Sequence, residues 1–367
     1  MSNGKFSRSS ERERVPDYSS EQRLASIRDE AERKGIVSGT GIRPGGSPIP
    51  RASEETGYYG IPLLKEPQWT WEIPLYFFVG GAAGSAAVIG AMADWVGDDY
   101  ELAKHARWVA TAGSALSSAL LISDLGRPSR FLNMLRIIKP QSAMSVGAWT
   151  LAAFGSFSAA TTFAKLVQER WDFLPVKIVA NLAQFASAVS GLPFHNYTGV
   201  LIGATVIPAW NKNIETLPIH FGMSGVQSAC SILELLGHEN GALNILALLA
   251  NAWETYEGFE LERRSDRALR PLKRGASGWI TRAGGLLSGP LPLALRLAAL
   301  FSDSKRIRQA AAISGIAGSI LTRYGWVRAG HASARDWKLP LEIPDTETAE
   351  TKPLGEETIP TLTEKIG

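Results

Sequence analysis

Acidic, phenolic and imidazole side chains recur inside stretches of this chain that are otherwise apolar. One set comprises Glu72, Asp124, His195, Tyr197, His220, Glu254 and Glu257, and a second comprises Asp94, Glu234 and His238. Ionisable groups at membrane depth are costly and usually face a bundle interior or a water-filled cavity. Tyr and His can donate hydrogen bonds to carbonyl oxygens, while carboxylates and imidazole take up and release protons. A quinone headgroup requires both capacities during reduction or oxidation. Arg130 joins the first set on the same grounds of depth and chemistry. Taken singly, each residue reads as readily as an interhelical hydrogen bond or a helix cap. Asp94, Glu234, Glu254 and Glu257 are candidates for a proton path, although caps and loop-edge residues are the simpler reading of the second set.

The elements that must position these groups are marked by the distribution of charge. The 367 residues hold 38 Lys+Arg against 35 Asp+Glu, a net charge of +3, with 45% apolar residues. Residues 1–70 and 329–367 are dense in charge, whereas Ile178 to Trp210 contains no Asp, Glu, Lys or Arg. One cysteine, Cys230, excludes a disulfide framework and an iron–sulfur or Cys-type zinc centre held by this chain alone. No metal site is expected, and no nucleic-acid partner.

A helix crossing the bilayer needs about 20 mostly apolar residues. Eight segments approach that condition, at about 71–95, 100–124, 143–168, 176–206, 214–237, 240–260, 284–302 and 308–327. The expected fold is an all-α integral membrane protein of eight transmembrane helices, arranged as two four-helix bundles over residues 71–328. A polar, largely disordered arm (1–70) and a polar tail (329–367) flank it. Gly80 and Gly84 fall on one face of the first helix, and small residues of this kind let helices approach closely where lipid removes the hydrophobic drive between them. Pro193 offers a break in the long fourth segment. Residues 1–30 lack the apolar centre of a cleavable signal, so the first helix is expected to serve as its own insertion signal.

Eight crossings put both termini on one face. The loops expected on that face carry twelve Lys and Arg, against eight in the opposite loops, which points to cytoplasmic termini in the inner membrane. A haem bound by His195 and His220 competes with the quinone reading, but His105, His238 and His331 lie near helix ends or in the tail and supply no second pair. The expectation is a chain without haem of its own.

Three stretches carry a family resemblance. Trp69-Thr-Trp71-Glu-Ile-Pro-Leu-Tyr-Phe-Phe-Val-Gly-Gly-Ala-Ala-Gly84 resembles the opening helix of the NrfD/PsrC family, the membrane subunits of polysulfide-reductase-like complexes. Asp124-Leu-Gly-Arg-Pro-Ser-Arg-Phe131 with Gly147-Ala-Trp149 is similar to its connection from helix 2 to helix 3, and Asn196-Tyr197-Thr-Gly199 with Pro208-Ala-Trp210-Asn211 to the end of its fourth helix. The likeness covers roughly residues 57–330. It implies a subunit that exchanges electrons and protons between the quinone pool, menaquinone or ubiquinone, and a ferredoxin-like iron–sulfur subunit. That subunit in turn serves a molybdopterin-type or other catalytic subunit. By motif, Tyr197 matches the family's quinone-binding tyrosine, Trp71–Glu72 the helix-1 part of the pocket, and Asp124 an acidic position bearing on quinone or proton transfer. The chain itself is then not the catalytic-site subunit. The resemblance also implies soluble partners outside the cytoplasm, opposite to the charge count.

Two other classes remain open: a proton-coupled secondary transporter, and a passive membrane anchor for a soluble oxidoreductase. Fusions at the C-terminus test the orientation. The charge count predicts an active cytoplasm-only reporter there, and strong activity of a periplasm-only reporter reverses it.

Overall fold

The computed structural model describes residues 64–339 apart from 126, 127, 172, 303, 337 and 338, together with Ser26 and Asp29. The expectations for the arm before residue 64 and the tail after 339 fall outside the described residues. The chain divides into two compact units, residues 1–50 and 51–367, and the helical bundle belongs to the second.

Every regular element among the described residues is helical. The long helices are α1 (Glu72–Trp95), α2 (Tyr100–Asp124), α3 (Ala143–Arg170), α4 (Leu174–Gly203), α5 (Leu217–Leu235), α6 (Gly241–Arg263), α7 (Gly275–Ser288), α8 (Pro290–Ser302) and α9 (Lys305–Arg335). Short-range chemistry places their ends. Asp99 caps α2 by accepting from the Leu102 N–H at 3.1 Å, and Asn240 caps α6 through Ala242 at 2.8 Å. Ser142 opens α3 in the same way. Pro175, Pro218 and Pro290 stand in the first turns of α4, α5 and α8, where a missing N–H costs nothing. After α5 the chain turns at Gly237 with φ +101°, and the N–H groups of Gly237 and His238 close back on the carbonyls of Glu234 and Leu233. That is the glycine-terminated helix end in which a left-handed residue satisfies the last carbonyls.

Three expectations about elements need correction. Pro193 does not break the fourth helix, which runs on from Leu174 to Gly203. The proline leaves a gap in the backbone ladder, and beside it His195 Nδ1 donates to the Leu192 carbonyl at 2.5 Å. The seventh segment begins at Gly275, well ahead of residue 284, and is divided at Gly289 into α7 and α8. The last helix runs past 328 to Arg335, so the first residues assigned to the tail are helical.

Two helical stretches, Glu72–Trp95 and Gly275–Ser302, are long and apolar enough to cross a bilayer by length and composition. The other expected crossings are not, because Gly, Ser, Asn and Gln dilute helices such as α4, whose only charged residue is Lys177. Outward faces are nevertheless apolar. On α4, Leu182, Phe185, Val189 and Leu192 are exposed in sequence at helical spacing, as are Ile245, Leu249 and Phe259 on α6.

The packing forms two linked rings. In the first, α1 touches α2 and α4, and α3 lies against both α2 and α4. In the second, α5 packs on α6 and α9, while α7 and α8 each touch α6 and α9. The seam between the rings is α1 and α4 against α5, with α9 also reaching α1. Glycine makes that seam. A Cβ on Gly84 would stand 2.7 Å from the Gly191 carbonyl oxygen of α4, and one on Gly225 of α5 would stand 2.8 Å from the Gly81 carbonyl oxygen. Gly80 meets the Phe194 ring of the same α4, so the Gly80/Gly84 face is an interhelical contact.

Gly84→Val should therefore force α1 and α4 apart, at a cost of about 1–3 kcal/mol, read as a lower unfolding midpoint in detergent. Gly285→Ala, where a Cβ meets nothing within 4 Å, should leave the midpoint unchanged or raise it.

Candidate functional site

The polar residues separate into two groups on opposite sides of an aromatic partition. The first surrounds the start of α1. Trp71 precedes the helix, is mostly exposed, and accepts a hydrogen bond on its carbonyl from the Tyr324 hydroxyl of α9 at 2.9 Å. The Thr70 hydroxyl donates to the Glu72 carboxylate. Asp124, the last residue of α2, lies against Thr70 and within electrostatic reach of Glu72. One turn further along α1, Tyr76 is buried beside Tyr197 of α4. Tyr197 itself is 6% exposed and fits against Gly147 of α3, where a Cβ would overlap the ring at 2.2 Å. Its hydroxyl has no hydrogen-bond partner of good geometry; the Gly147 backbone is nearest. A buried, unpaired phenol is a costly arrangement and points to a group that the protein expects to receive there.

His195 does not join Tyr197. Residues two apart on a helix point in nearly opposite directions, and His195 faces α5 with Nε2 beside Gly222. Sequence proximity and common depth suggested a shared task that the helical period forbids. The Arg130 side chain lies outside the described residues, within a 3-10 stretch Pro128–Leu135.

His220 belongs to the second group. It is buried on α5, and its Nδ1 lies 3.2 Å from Glu254 Oε1 and 2.9 Å from Glu257 Oε2 on α6. Ser288 Oγ donates to the other Glu254 oxygen at 3.0 Å. His220, Glu254 and Glu257 line a cavity of about 290 Å³ between α5, α6, α7 and α9, which includes Thr281, Leu286 and Trp326 but none of Trp71, Glu72, Asp124, His195 or Tyr197. Between the groups stand the rings of Phe77, Phe221 and Trp326, with His220 packed at 5.6 Å on Phe221 and 6.2 Å from Trp326. Trp69 stacks on Trp210 at 5.2 Å, and the Trp210 indole donates to the Trp326 carbonyl at 2.7 Å.

The residues expected on the opposite side resolve into three separate pairs. Asp94 binds Lys165 at 2.6 Å, Glu234 binds Arg296 at 2.5 and 2.8 Å, and His238 lies 2.8 Å from His105. The first links α1 to α3, the second α5 to α8, and the third ties the turn after α5 to α2. The partner cations were not among the candidate site residues, and neither was Arg323. That side chain is fully buried, donating to Ser224 Oγ at 2.8 Å and to the carbonyls of Ser319 (3.0 Å) and Phe221 (3.2 Å). The signal was present: a cation inside an apolar span implies a buried acceptor.

Apolar outer faces, small-residue seams and buried, paired charges suit a helical protein embedded in a membrane. Residues 64–238 match the family described as NrfD, polysulphide reductase. Over 187 residues the sequence is 28% identical to the C chain of polysulfide reductase from Wolinella succinogenes, covering 46% of this protein and 58% of that one. Over this stretch, just under half of its length, the protein is similar to the NrfD family, whose members are integral to membranes. The match is narrower than the resemblance read over 57–330, ending at the close of α5; α6 to α9 lie beyond it.

The segment that carries Trp69 and Trp71 is fastened to the end of α9. Arg335 holds Glu66 through two hydrogen bonds of 2.7 and 3.0 Å, and His331 stands 3.0 Å away. The Arg335 guanidinium keeps the Glu66 carboxyl below its ordinary value of 4.5, with His331 adding to the effect and partial burial opposing it. A carboxyl whose folded value is depressed stabilises above the unfolded value and loses that contribution as pH falls through the folded one. The tie should thus be intact at pH 7 and weaken below about pH 4.5, measured as increased protease cutting ahead of Trp69. Arg335→Ala should show the same cutting already at pH 7.

Proposed function

We propose that the protein is the membrane subunit of a quinone-linked oxidoreductase. In this reading it crosses the bilayer eight times, α7 and α8 counting as one crossing, and passes electrons between the quinone pool and an iron–sulfur partner. The partner docks on the face bearing the termini and is served by a molybdopterin-type or other catalytic subunit. The Wolinella succinogenes relative, by its name one of the chains of a reductase, supports membership in such an assembly.

The quinone headgroup sits at the start of α1, among α1, α3 and α4, and one observation carries that placement: the buried Tyr197 hydroxyl has no partner of good geometry. Quinone supplies two-electron, two-proton chemistry when bound. The protein supplies the rest. Tyr197 donates a hydrogen bond to a headgroup carbonyl, and Tyr76 with the Gly147 face excludes water beside it. Glu72 and Asp124, gathered around Thr70 at the same end, accept the protons released and pass them to the boundary. The exposed Trp71 ring suits the headgroup level of the bilayer.

Tyr197→Phe removes the donor while keeping the ring. A hydrogen bond made in place of an unpaired group is worth about 1–1.5 kcal/mol, so quinone turnover should fall about tenfold with assembly of the complex unchanged. Unaltered quinone kinetics would take Tyr197 out of the site, as the passive-anchor reading requires.

A further inference from the structure

We infer that the segment joining α6 to α7 is a docking surface for the headgroups of anionic phospholipids, seated at the membrane boundary where α6 ends and α7 begins. The inference rests on the bilayer-crossing part of the proposed function and on nothing said there of quinone. The segment lies beyond residues 64–238, so the family match does not reach it.

Residues 260–282 hold seven Lys and Arg against three Asp and Glu, and each of the three carboxylates is already engaged. Glu260 lies 2.8 Å from Arg263, and Glu262 takes two hydrogen bonds from Arg282 at 2.7 and 3.0 Å. Asp266 accepts from the Ala268 N–H at 2.9 Å, with Lys212 3.8 Å away. Arg264, Arg267 and Arg274 are exposed, and none has a carboxylate within ion-pair distance among the described residues. Arg264 donates to the Asn213 side-chain oxygen at 3.4 Å. The adjoining turn adds Lys212 and Glu215, one charge of each sign. The surface keeps an excess of cations.

These cations stand on a fixed platform. After α6 the chain makes a 3-10 turn at Arg267–Leu269 and one helical turn at Arg270–Lys273 before α7. Leu269 and Leu272 are buried beneath it. Lys273 Nζ donates to the Glu262 carbonyl at 2.8 Å and to the Arg264 carbonyl, closing the end of α6. The Ser277 hydroxyl donates to the Pro271 carbonyl at 2.6 Å. A backbone held in this way spares the ordering cost that a flexible loop meets on binding.

Depth follows from α7. Its outward face carries Trp279, 74% exposed, and then Leu286, 57% exposed. At a rise of 1.5 Å per residue, Trp279 lies about 7.5 Å along the axis from Arg274, and Leu286 about 10 Å beyond Trp279. An exposed indole suits the headgroup level and a leucine the hydrocarbon below it, which sets Arg274 and its neighbours at the phosphates. There a cluster of juxtamembrane cations attracts anionic lipid within a Debye length, and the guanidinium fork matches a phosphate. A water-soluble acidic partner would cover the end of the bundle and leave the flank bearing Trp279 and Leu286 bare. Lipid covers both.

The test extracts the full-length protein from vesicles of equal phosphatidylcholine and phosphatidylglycerol and reads the retained lipid by native mass spectrometry. Retained phosphatidylglycerol should exceed phosphatidylcholine about fivefold. Arg267→Gln with Arg274→Gln should bring the two lipids near parity at an unchanged unfolding midpoint. Lys305→Gln with Arg306→Gln, which removes two cations from the start of α9 instead, should keep the preference. Equal retention in the unaltered protein, or the same loss in both double variants, overturns the inference. So does a preference that emerges only when residues 340–367 are removed, since their seven Asp and Glu against two Lys would then be the occupant. Displacement of phosphatidylglycerol by millimolar inorganic phosphate marks a free-anion site and also overturns it. Failure of the Arg267→Gln, Arg274→Gln protein to assemble with soluble subunits, with phosphatidylglycerol still retained, assigns these cations to a protein partner and overturns it too. Release of the unaltered protein from membranes by alkaline carbonate would remove the bilayer reading itself. Resistance to carbonate without a phosphatidylglycerol preference strikes the docking surface alone.

Discussion

Helices in lipid have no hydrophobic reason to touch, since a hydrocarbon tail is as apolar as a leucine. What holds this bundle together is the closeness with which α1 meets α4 and α5. At Gly84 against Gly191, and at Gly81 against Gly225, backbone packs on backbone with no room for a methyl group. Such approach multiplies weak dispersion contacts along the whole interface. It also fixes rotation. Once α1 is pinned by glycines on two faces, Tyr76 must point at Tyr197, and Phe77 must point at Phe221. The quinone reading at α1 and the aromatic partition both descend from that one constraint.

The second constraint is electrostatic. Charges taken out of water survive only when paired and hydrogen-bonded. Asp94 with Lys165, Glu234 with Arg296, and His220 between Glu254 and Glu257 each cross from one helix to another. They therefore specify which helices are neighbours as well as being tolerated by them. Arg323 is the case without a directly bonded carboxylate, and it is accommodated by two serine residues, a backbone carbonyl of α5 and the face of Phe221 at 5.1 Å. Its position at the joint of α5, α9 and α1 makes it a hub for the seam.

Much of the fold was legible in residue order. Asp99, Ser142 and Asn240 cap α2, α3 and α6, which begin at 100, 143 and 241 beside segments expected to begin at about 100, 143 and 240. Gly80 and Gly84 announced a close helix contact before its partner was known. The site was less legible. His195 and Tyr197 share a short stretch and a depth, yet serve different faces of α4, and His220 with Glu254 and Glu257 forms a cluster of its own. Pro193 was read as a break, but the helix runs through it from Leu174 to Gly203.

The amino-acid order by itself determined that this is a helical protein with small-residue seams, one cysteine and ionisable groups inside apolar spans, and that residues 69–211 carry motifs resembling those of the NrfD/PsrC family. Those properties are local: periodicity, caps and composition act within one helix. Only the tertiary structure decided which polar groups meet, because the direction of a side chain depends on how each helix is turned against its neighbours. That rotation is set by glycine contacts between residues as distant as Gly81 and Gly225, and no spacing within a single segment contains it.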